Sequence, residues 1–202
     1  MVTSAPPRGW AGLAWFLDTN VIDDPDAEEL RRLRDAGWIS LQAADTLLVE
    51  VVDASDPDKR AELIARTEAL PMAYGPLLLG HSMLGRTVLG SKADHSRIDA
   101  VYQALWERPG KKTKPLKESK SARRRTRDAL HVATAIRYGA SGFVTRDGPL
   151  LKRAAAVAAR FDRFPILSVE AATERSHEAV LRVRREADLT GFPNPTSLPA
   201  WP

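Results

Sequence analysis

The chain has 202 residues, of which 44% are hydrophobic, and its 30 Lys and Arg against 26 Asp and Glu give a formal net charge of +4. This length and this apolar content are enough for one domain with a buried core. Because the sequence has no cysteine, disulfides, zinc–thiolate sites and cysteine nucleophiles are excluded. Residues 1–12 lack a signal-peptide pattern, and no stretch approaches the roughly 20 apolar residues of a membrane span, so we expect a cytoplasmic protein with no membrane partner.

Hydrophobic patterns predict strands and helices that alternate along the chain. Apolar runs that end at Asp18 and at Asp147 indicate buried strands, and shorter strand candidates lie at 38–42 and 165–169. Helical spacing with capping and stop residues predicts helices at 25–37, 46–54, 56–70, 94–106, 121–138, 149–160 and 170–187. Residues 71–90 fit neither pattern. This alternation predicts a three-layer α/β/α fold with a central, mostly parallel sheet.

Four acidic residues stand where these elements would direct them toward one place. Asp18 and Asp147 follow the two apolar strands, and the carboxyl ends of strands in an open parallel sheet border a ligand-binding crevice. Glu50 and Asp128 lie on predicted helices that could cover the same crevice. A set of carboxylate oxygens without sulfur favours a hard divalent cation such as Mg²⁺ or Mn²⁺. We therefore predict a metal site formed by these four acids.

Each acid alone also has a purely structural interpretation. Asp18 could close an Asx turn after its strand, and Asp147 could cap the helix that follows it. Glu50 could be a helix-surface residue, although it interrupts an apolar run. Asp128 could pair with a neighbouring arginine on its helix. The prediction of a metal site therefore depends on all four acids occurring together.

A basic segment at 108–127 dominates the charge distribution. It contains ten Lys or Arg and one acid, Glu118, so it carries +9 while the rest of the chain is net acidic. Such a block favours contact with a polyanion, because each neutralised phosphate releases condensed counterions, whereas a solvated loop is the alternative. The side chains that we expect to contact a nucleic acid are Lys111, Lys112, Lys114, Arg123, Arg124 and Arg125.

Four short motifs, in this order along the chain, resemble the signatures of PIN-domain ribonucleases. They are FLDTNVI at 16–22, VEV at 49–51, RDALHVATA at 127–135 and VTRD at 144–147. The resemblance covers residue 13 to about 172 and implies a compact α/β/α fold and a metal-dependent endoribonuclease that hydrolyses RNA phosphodiester bonds. Many bacterial relatives in that family are toxins of type II toxin–antitoxin pairs, and compact members often pair, which implies an antitoxin and a second copy as partners.

The same resemblance assigns roles to individual residues. Asp18, Glu50, Asp128 and Asp147 correspond to the catalytic acids that bind the metal ion. The resemblance places Thr19, Asn20 and Thr145 beside these acids as polar neighbours. His131 lies on the same side of its helix as Asp128, and we assign it to the core or to a supporting position.

The sequence departs from compact toxin members in two regions. The interval from Glu50 to Asp128 is long and contains the basic segment, and the chain continues beyond residue 172. We therefore expect an N-terminal extension at 1–12, a PIN-like nuclease domain at 13–172 with a basic insertion around 108–127, and a C-terminal helix and proline-rich tail at 173–202.

Other functional classes fit less well. A dinucleotide-binding fold is disfavoured because no glycine-rich phosphate loop follows the first strand. A haloacid-dehalogenase-type phosphatase needs a second acid at the position of Asn20. The alternative to a nuclease that stays open is a non-catalytic, PIN-like module that binds RNA or a protein partner.

Overall fold

The computed structural model of the chain describes residues 8–52, 56–78, 81–82, 87–107 and 120–201. Within these residues the strands are β1 (Leu13–Leu17), β2 (Ile39–Ala44), β3 (Met72–Ala73), β4 (Gly142–Val144) and β5 (Ile166–Leu167). They form one sheet in the order β3-β2-β1-β4-β5, and every neighbouring pair is parallel. The predicted α/β class with a central parallel sheet is confirmed.

Helices cover both faces of this sheet. One face packs against α1 (Thr19–Ile22), α2 (Glu28–Asp35), α3 (Thr46–Val52), α4 (Pro57–Glu68) and α9 (Val169–Thr190). The other packs against α5 (Lys92–Trp106), α6 (Lys120–Arg137), α7 (Gly148–Leu151) and α8 (Ala154–Arg160). Short 3₁₀ helices occupy Pro25–Ala27 and Pro195–Ser197.

The central strand β1 shows why the sheet is buried on both sides. Trp15 and Leu17 belong to the apolar cluster beneath the first helical layer, whereas Phe16 belongs to the cluster beneath the second. All three side chains are buried. A strand with two buried faces is continuously apolar instead of alternating, which explains why the sequence predicted it clearly.

The register of β1 and β4 brings the residues after them to one level. Leu17 is paired with Val144, and the next backbone N–H, that of Asp18, donates to the Val144 carbonyl at 2.9 Å. Asp18 and Thr145 therefore leave neighbouring strands side by side, at the carboxyl edge of the sheet.

A buried acid joins α5 to α6. Asp94 is 6% exposed and accepts from the Arg97 guanidinium at 2.8 Å, while the Nε of Arg137 lies 3.4 Å from the same oxygen. Its other oxygen accepts from the backbone N–H and the hydroxyl of Ser91, which completes a capping box at the start of α5. This acid fixes the base of the helix that carries Asp128.

The C-terminal helix belongs to the main core. Ala172, Ala179 and Val180 of α9 lie in the apolar cluster on its face of the sheet, and the indole N–H of Trp15 donates to the Ser176 hydroxyl at 2.9 Å. Helix α9 therefore runs across the predicted boundary between residues 172 and 173 without a break in packing.

The two ends of the described chain meet at Trp38. The backbone N–H of Ala11 donates to the Trp38 carbonyl at 2.8 Å, and the Trp38 indole donates to the carbonyl of Ala200 at 3.0 Å. The guanidinium of Arg184 lies over the rings of both Trp38 and Trp201. The proline-rich tail thus lies over the surface of the domain.

Two regions differ from the sequence prediction. The helix expected at 149–160 is two helices, because α7 ends at Leu151 and α8 begins at Ala154. The stretch 71–90, which received no assignment, contains β3 and an isolated bridge between Pro76 and Val88 among its described residues. Strands as short as these have no detectable periodicity.

Across the described ranges, every helix is too short or too polar to traverse a lipid bilayer.

Candidate metal centre

A cavity of about 720 Å³ opens at the carboxyl edge of the sheet, and its lining includes Asp18, Glu50, Asp128 and Asp147. The cavity lies where β1 and β4 are neighbours although the chain runs from β1 to β2 on the other side. Ligands of open parallel sheets bind at such a switch point. The structure thus places all four predicted acids around one cavity.

Elements from both helical layers supply the four acids. Asp18 follows β1, and Asp147 lies at the amino end of α7, just after β4. Glu50 is on α3 in one layer, and Asp128 is on α6 in the other. Asp18 and Asp128 are buried, while Glu50 is partly exposed at the cavity wall. Residues far apart in the sequence converge because helices from both faces of the sheet border the same carboxyl edge.

Thr145 links two of the acids, as the sequence predicted for a polar neighbour. Its hydroxyl donates to Asp18 Oδ2 at 2.5 Å and accepts from the backbone N–H of Asp147 at 2.9 Å. The other oxygen of Asp18 accepts from the Thr19 backbone N–H at 2.8 Å. The Thr19 hydroxyl in turn donates to Glu50 Oε2 at 2.5 Å. The two threonines therefore fix the orientation of two carboxylates, those of Asp18 and Glu50, and Thr145 also holds the backbone of Asp147.

Asn20, the third predicted polar neighbour, lines the cavity, but its side chain contacts a backbone N–H instead of a carboxylate. Its Oδ1 accepts from the backbone N–H of Arg146 at 3.0 Å and ties the loop after β4 to α1. The Arg146 side chain pairs with Asp24 at 2.6 Å and with Asp26 at 2.9 Å. Arg146 thus orients carboxylates below the cavity, and these contacts hold the two loops of the site together.

His131, which we expected in the core or at a supporting position, lies next to the acids in the structure. It lies on α6 three residues after Asp128, and its Nδ1 is 3.9 Å from Asp18 Oδ1. The imidazole is 1% exposed, and its Nε2 has no hydrogen-bond partner among the described residues. The spacing of three residues on one helix face was the available signal, but a buried histidine on an apolar helix face is equally typical of a core.

The crowding of negative charge shifts the pKa values of the cluster. Burial raises the pKa of Asp128, and the charge of Glu50 raises it further, to about 7. Burial opposes the protonation of His131, but Glu50 and Asp18 outweigh it and raise the His131 pKa to about 9. For Asp18, burial is outweighed by the adjacent imidazole and by Thr145, so its pKa is lowered. The cluster therefore attracts positive charge, as protons or as a cation.

The donor atoms fit a divalent cation. A carboxylate oxygen of Asp18, one of Glu50 and a ring nitrogen of His131 all lie within 4.8 Å of one another. Ligand atoms about 2.1 Å from one ion lie at most about 4 Å apart, so small side-chain rotations bring the three into range. Carboxylates suit Mg²⁺ and Mn²⁺, and an imidazole suits transition metals. Of the two predicted ions, Mn²⁺ matches this donor set better.

Asp147 is held differently from the other acids. Its Oδ1 accepts from the Leu150 backbone N–H at 3.1 Å and caps α7, as one structural interpretation expected. Its Oδ2 accepts from the guanidinium of Arg124 at 2.7 Å. The structural alternative for Asp128, a pair with a neighbouring arginine on its helix, is not formed with Arg124, because the Arg124 guanidinium pairs with Asp147.

Basic side chains line the same cavity as the acids. Four of them lie on one side of α6 at helical spacing, and the fifth is on α4: Lys120, Arg123, Arg124, Arg127 and Lys59. Two of the residues predicted to contact RNA, Arg123 and Arg124, are among them. The guanidinium of the third predicted arginine, Arg125, lies elsewhere, 5.5 Å from the centre of the Trp106 ring. The predicted contacts Lys111, Lys112 and Lys114 lie outside the described residues.

No protein-family model matches the sequence, and no curated protein matches it significantly.

Proposed function

We propose that this protein is a divalent-metal-dependent ribonuclease that hydrolyses RNA phosphodiester bonds in the cavity at the carboxyl edge of the sheet. The observation that carries the proposal is the convergence of Asp18, Glu50 and Asp128 on one cavity that basic side chains also line, with the buried His131 close to the first two acids. Carboxylates can hold the cation that phosphodiester hydrolysis uses, and basic side chains beside them can bind the phosphate.

Each group of side chains has a separate task in this proposal. Asp18, Glu50 and His131 would hold the cation, and Asp128, which lies close enough to influence their charges, would complete the site. A bound divalent cation supplies Lewis acidity, activates water near neutral pH and stabilises charge on the phosphate. Arg123 would bind phosphate oxygens of the RNA backbone through its planar guanidinium.

The order of the motifs supports the same proposal. The four segments that resemble PIN-domain signatures lie at the ends of β1 and β4, on α3 and on α6, and each contributes one acid to the cavity. A chance resemblance would not be expected to direct four separated segments toward one space. The proposed family membership depends on this resemblance and on the site.

The experiment is an RNA cleavage assay with matched acid variants. We expect the purified protein to cleave members of a panel of transfer, ribosomal and messenger RNAs when Mn²⁺ or Mg²⁺ is present, and EDTA to abolish the cleavage. Asp18→Asn should remove activity, because it keeps the shape of the side chain while removing charge from the cation site. Asp23→Asn is the control, since Asp23 lines the same cavity but pairs with Lys59 at 3.7 Å.

The outcomes separate an enzyme from a binding module. Cleavage that is lost with EDTA, restored by Mn²⁺ and absent in Asp18→Asn supports the ribonuclease. Recovery of intact RNA, with binding that weakens as salt increases and does not respond to divalent cations, contradicts it and favours the non-catalytic module. Cleavage by Asp18→Asn at the parent rate would remove Asp18 from the mechanism.

The toxin role and the partners implied by the resemblance stay predictions. A small DNA-binding protein encoded next to this chain, and growth arrest on expression that its coexpression relieves, would support a toxin–antitoxin pair. Light scattering of the purified protein would test the implied homodimer.

A further inference from the structure

Asp147 lines the cavity, but its oxygens are already engaged. One oxygen caps α7 through the Leu150 N–H, and the other accepts from Arg124 at 2.7 Å. The Asp147 side chain is 9% exposed, whereas the Arg124 side chain is 69% exposed. The oxygen that remains for a cation is therefore the one that Arg124 holds.

Arg124 occupies a position from which it acts on two acids. It lies on α6 one turn before Asp128 and reaches across the cavity to Asp147. Its charge influences Asp128 as well, opposing the rise in that carboxyl's pKa. A guanidinium at this place repels a second cation by direct charge repulsion. It also occupies the ligand that such a cation would use.

Building on the ribonuclease function proposed above, we propose that Arg124 is a positioning residue that withholds Asp147 from cations until an RNA phosphate takes its guanidinium. In the RNA-free protein the cluster of Asp18, Glu50 and His131 holds one ion. Asp147 becomes a ligand for a second ion when Arg124 turns to the phosphate.

The exchange is physically favourable in this geometry. An ion pair with one largely exposed partner is weak, because water competes for the guanidinium. A phosphate offers the guanidinium two parallel hydrogen bonds in place of the single contact to Asp147 Oδ2. The released Asp147 carboxylate would then be free to hold a second cation, whose positive charge would offset the repulsion between this carboxylate and the phosphate. Because such coupling is reciprocal, RNA and the second ion each raise the affinity of the site for the other.

The test counts bound Mn²⁺ in RNA-free protein by isothermal titration calorimetry and by electron paramagnetic resonance. We expect one ion in the parent and two in Arg124→Gln, with the affinity for the second ion raised at least about tenfold, since both the ion pair and the repulsion are gone. Adding Asp147→Asn to Arg124→Gln should return the count to one. Lys59→Gln is the matched control, because Lys59 lines the same cavity and carries the same charge but pairs with Asp23.

Several results would overturn the inference. Arg124→Gln with the parent's ion count and affinity would show that Arg124 does not restrict Asp147. An equal gain in Lys59→Gln would show that bulk charge, not the contact to Asp147, controls the second ion. Two ions in the RNA-free parent would remove the role of Arg124 while leaving the proposed ribonuclease intact. A parent that binds no Mn²⁺ would instead end both proposals. Circular dichroism of each variant establishes that it is folded.

Discussion

In the absence of divalent cations, Asp128→Asn should stabilise the protein at about pH 8, although it removes a proposed catalytic acid. Burial and the charge of Glu50 raise the pKa of Asp128 from an ordinary value of 3.8 to about 7. Between these values the folded protein binds the proton more tightly than the unfolded chain does. Stability therefore falls as the pH rises from about 4 to about 7, and the full penalty is present above pH 7.

The size of this penalty follows from the two pKa values. Their difference corresponds to at most about 4 kcal/mol of unfolding free energy. The pKa of about 7 already includes the attraction of the ionised carboxylate to His131 and Arg124, which opposes the rise. We therefore expect a gain of at most about 4 kcal/mol at about pH 8, which shrinks as the pH approaches about 4.

Urea denaturation in EDTA, followed by circular dichroism at several pH values, measures this difference. Asp188→Asn is the control, because Asp188 is an exposed acid on α9. Excess Mn²⁺ should reverse the order, since the ion stabilises the folded parent by mass action and the variant has lost a ligand. If Asp128→Asn is no more stable than the parent at about pH 8 in EDTA, this prediction is wrong. The ionised Asp128 carboxylate would then not destabilise the folded protein, and a cation would have no such destabilisation to remove.

Three further predictions concern the scaffold, the metal ligands and the RNA contacts. Asp94→Asn should lower the unfolding free energy by about 2 kcal/mol at neutral pH. Although burial opposes it, hydrogen bonds and neighbouring arginines lower the Asp94 pKa from its ordinary value of 3.8, so in urea titrations the loss should begin to shrink only below about pH 4, as Asp94 becomes protonated; a loss that stays constant as the pH falls further would contradict the ionic explanation. Thr145→Val should weaken Mn²⁺ binding about tenfold in calorimetry, because the hydroxyl orients Asp18; unchanged affinity would show that the hydroxyl is dispensable. Arg123→Gln should reduce the slope of log affinity for single-stranded RNA against log salt by about 0.7. Arg125→Gln should leave it unchanged, because the guanidinium of Arg125 lies over Trp106; an Arg123→Gln slope equal to that of the parent would show that Arg123 does not contact RNA.

The sequence predicted the sheet wherever a strand is buried on both faces. β1 and β4 are apolar throughout and are followed by polar residues, so composition alone marks them. β3 has two residues and cannot show a period. The helix expected at 149–160 is interrupted at Lys152 and Arg153. Neither residue is a proline or a glycine, so the sequence contains no signal for this break.

A residue of the candidate site could be predicted where the sequence pattern of its own strand or helix marks it. Asp18 and Asp147 come directly after strands, and Glu50 interrupts an apolar helix face, so local pattern was enough to select them. The pairing of Arg124 with Asp147 joins two helices that are separated in sequence, and no local pattern reports it. His131 was ambiguous because its burial is equally compatible with a core position, and only the distance to Asp18 decides between the two.

The meeting of the two ends of the described chain at Trp38 has a practical consequence for engineering the protein. Trp38 immediately precedes β2 and so lies at the amino edge of the sheet, on the far side from the acids. Because Ala11 and Ala200 both contact Trp38, a short linker could join the two ends of the described chain without approaching the cavity. The fold is therefore suited to circular permutation, with new ends opened elsewhere.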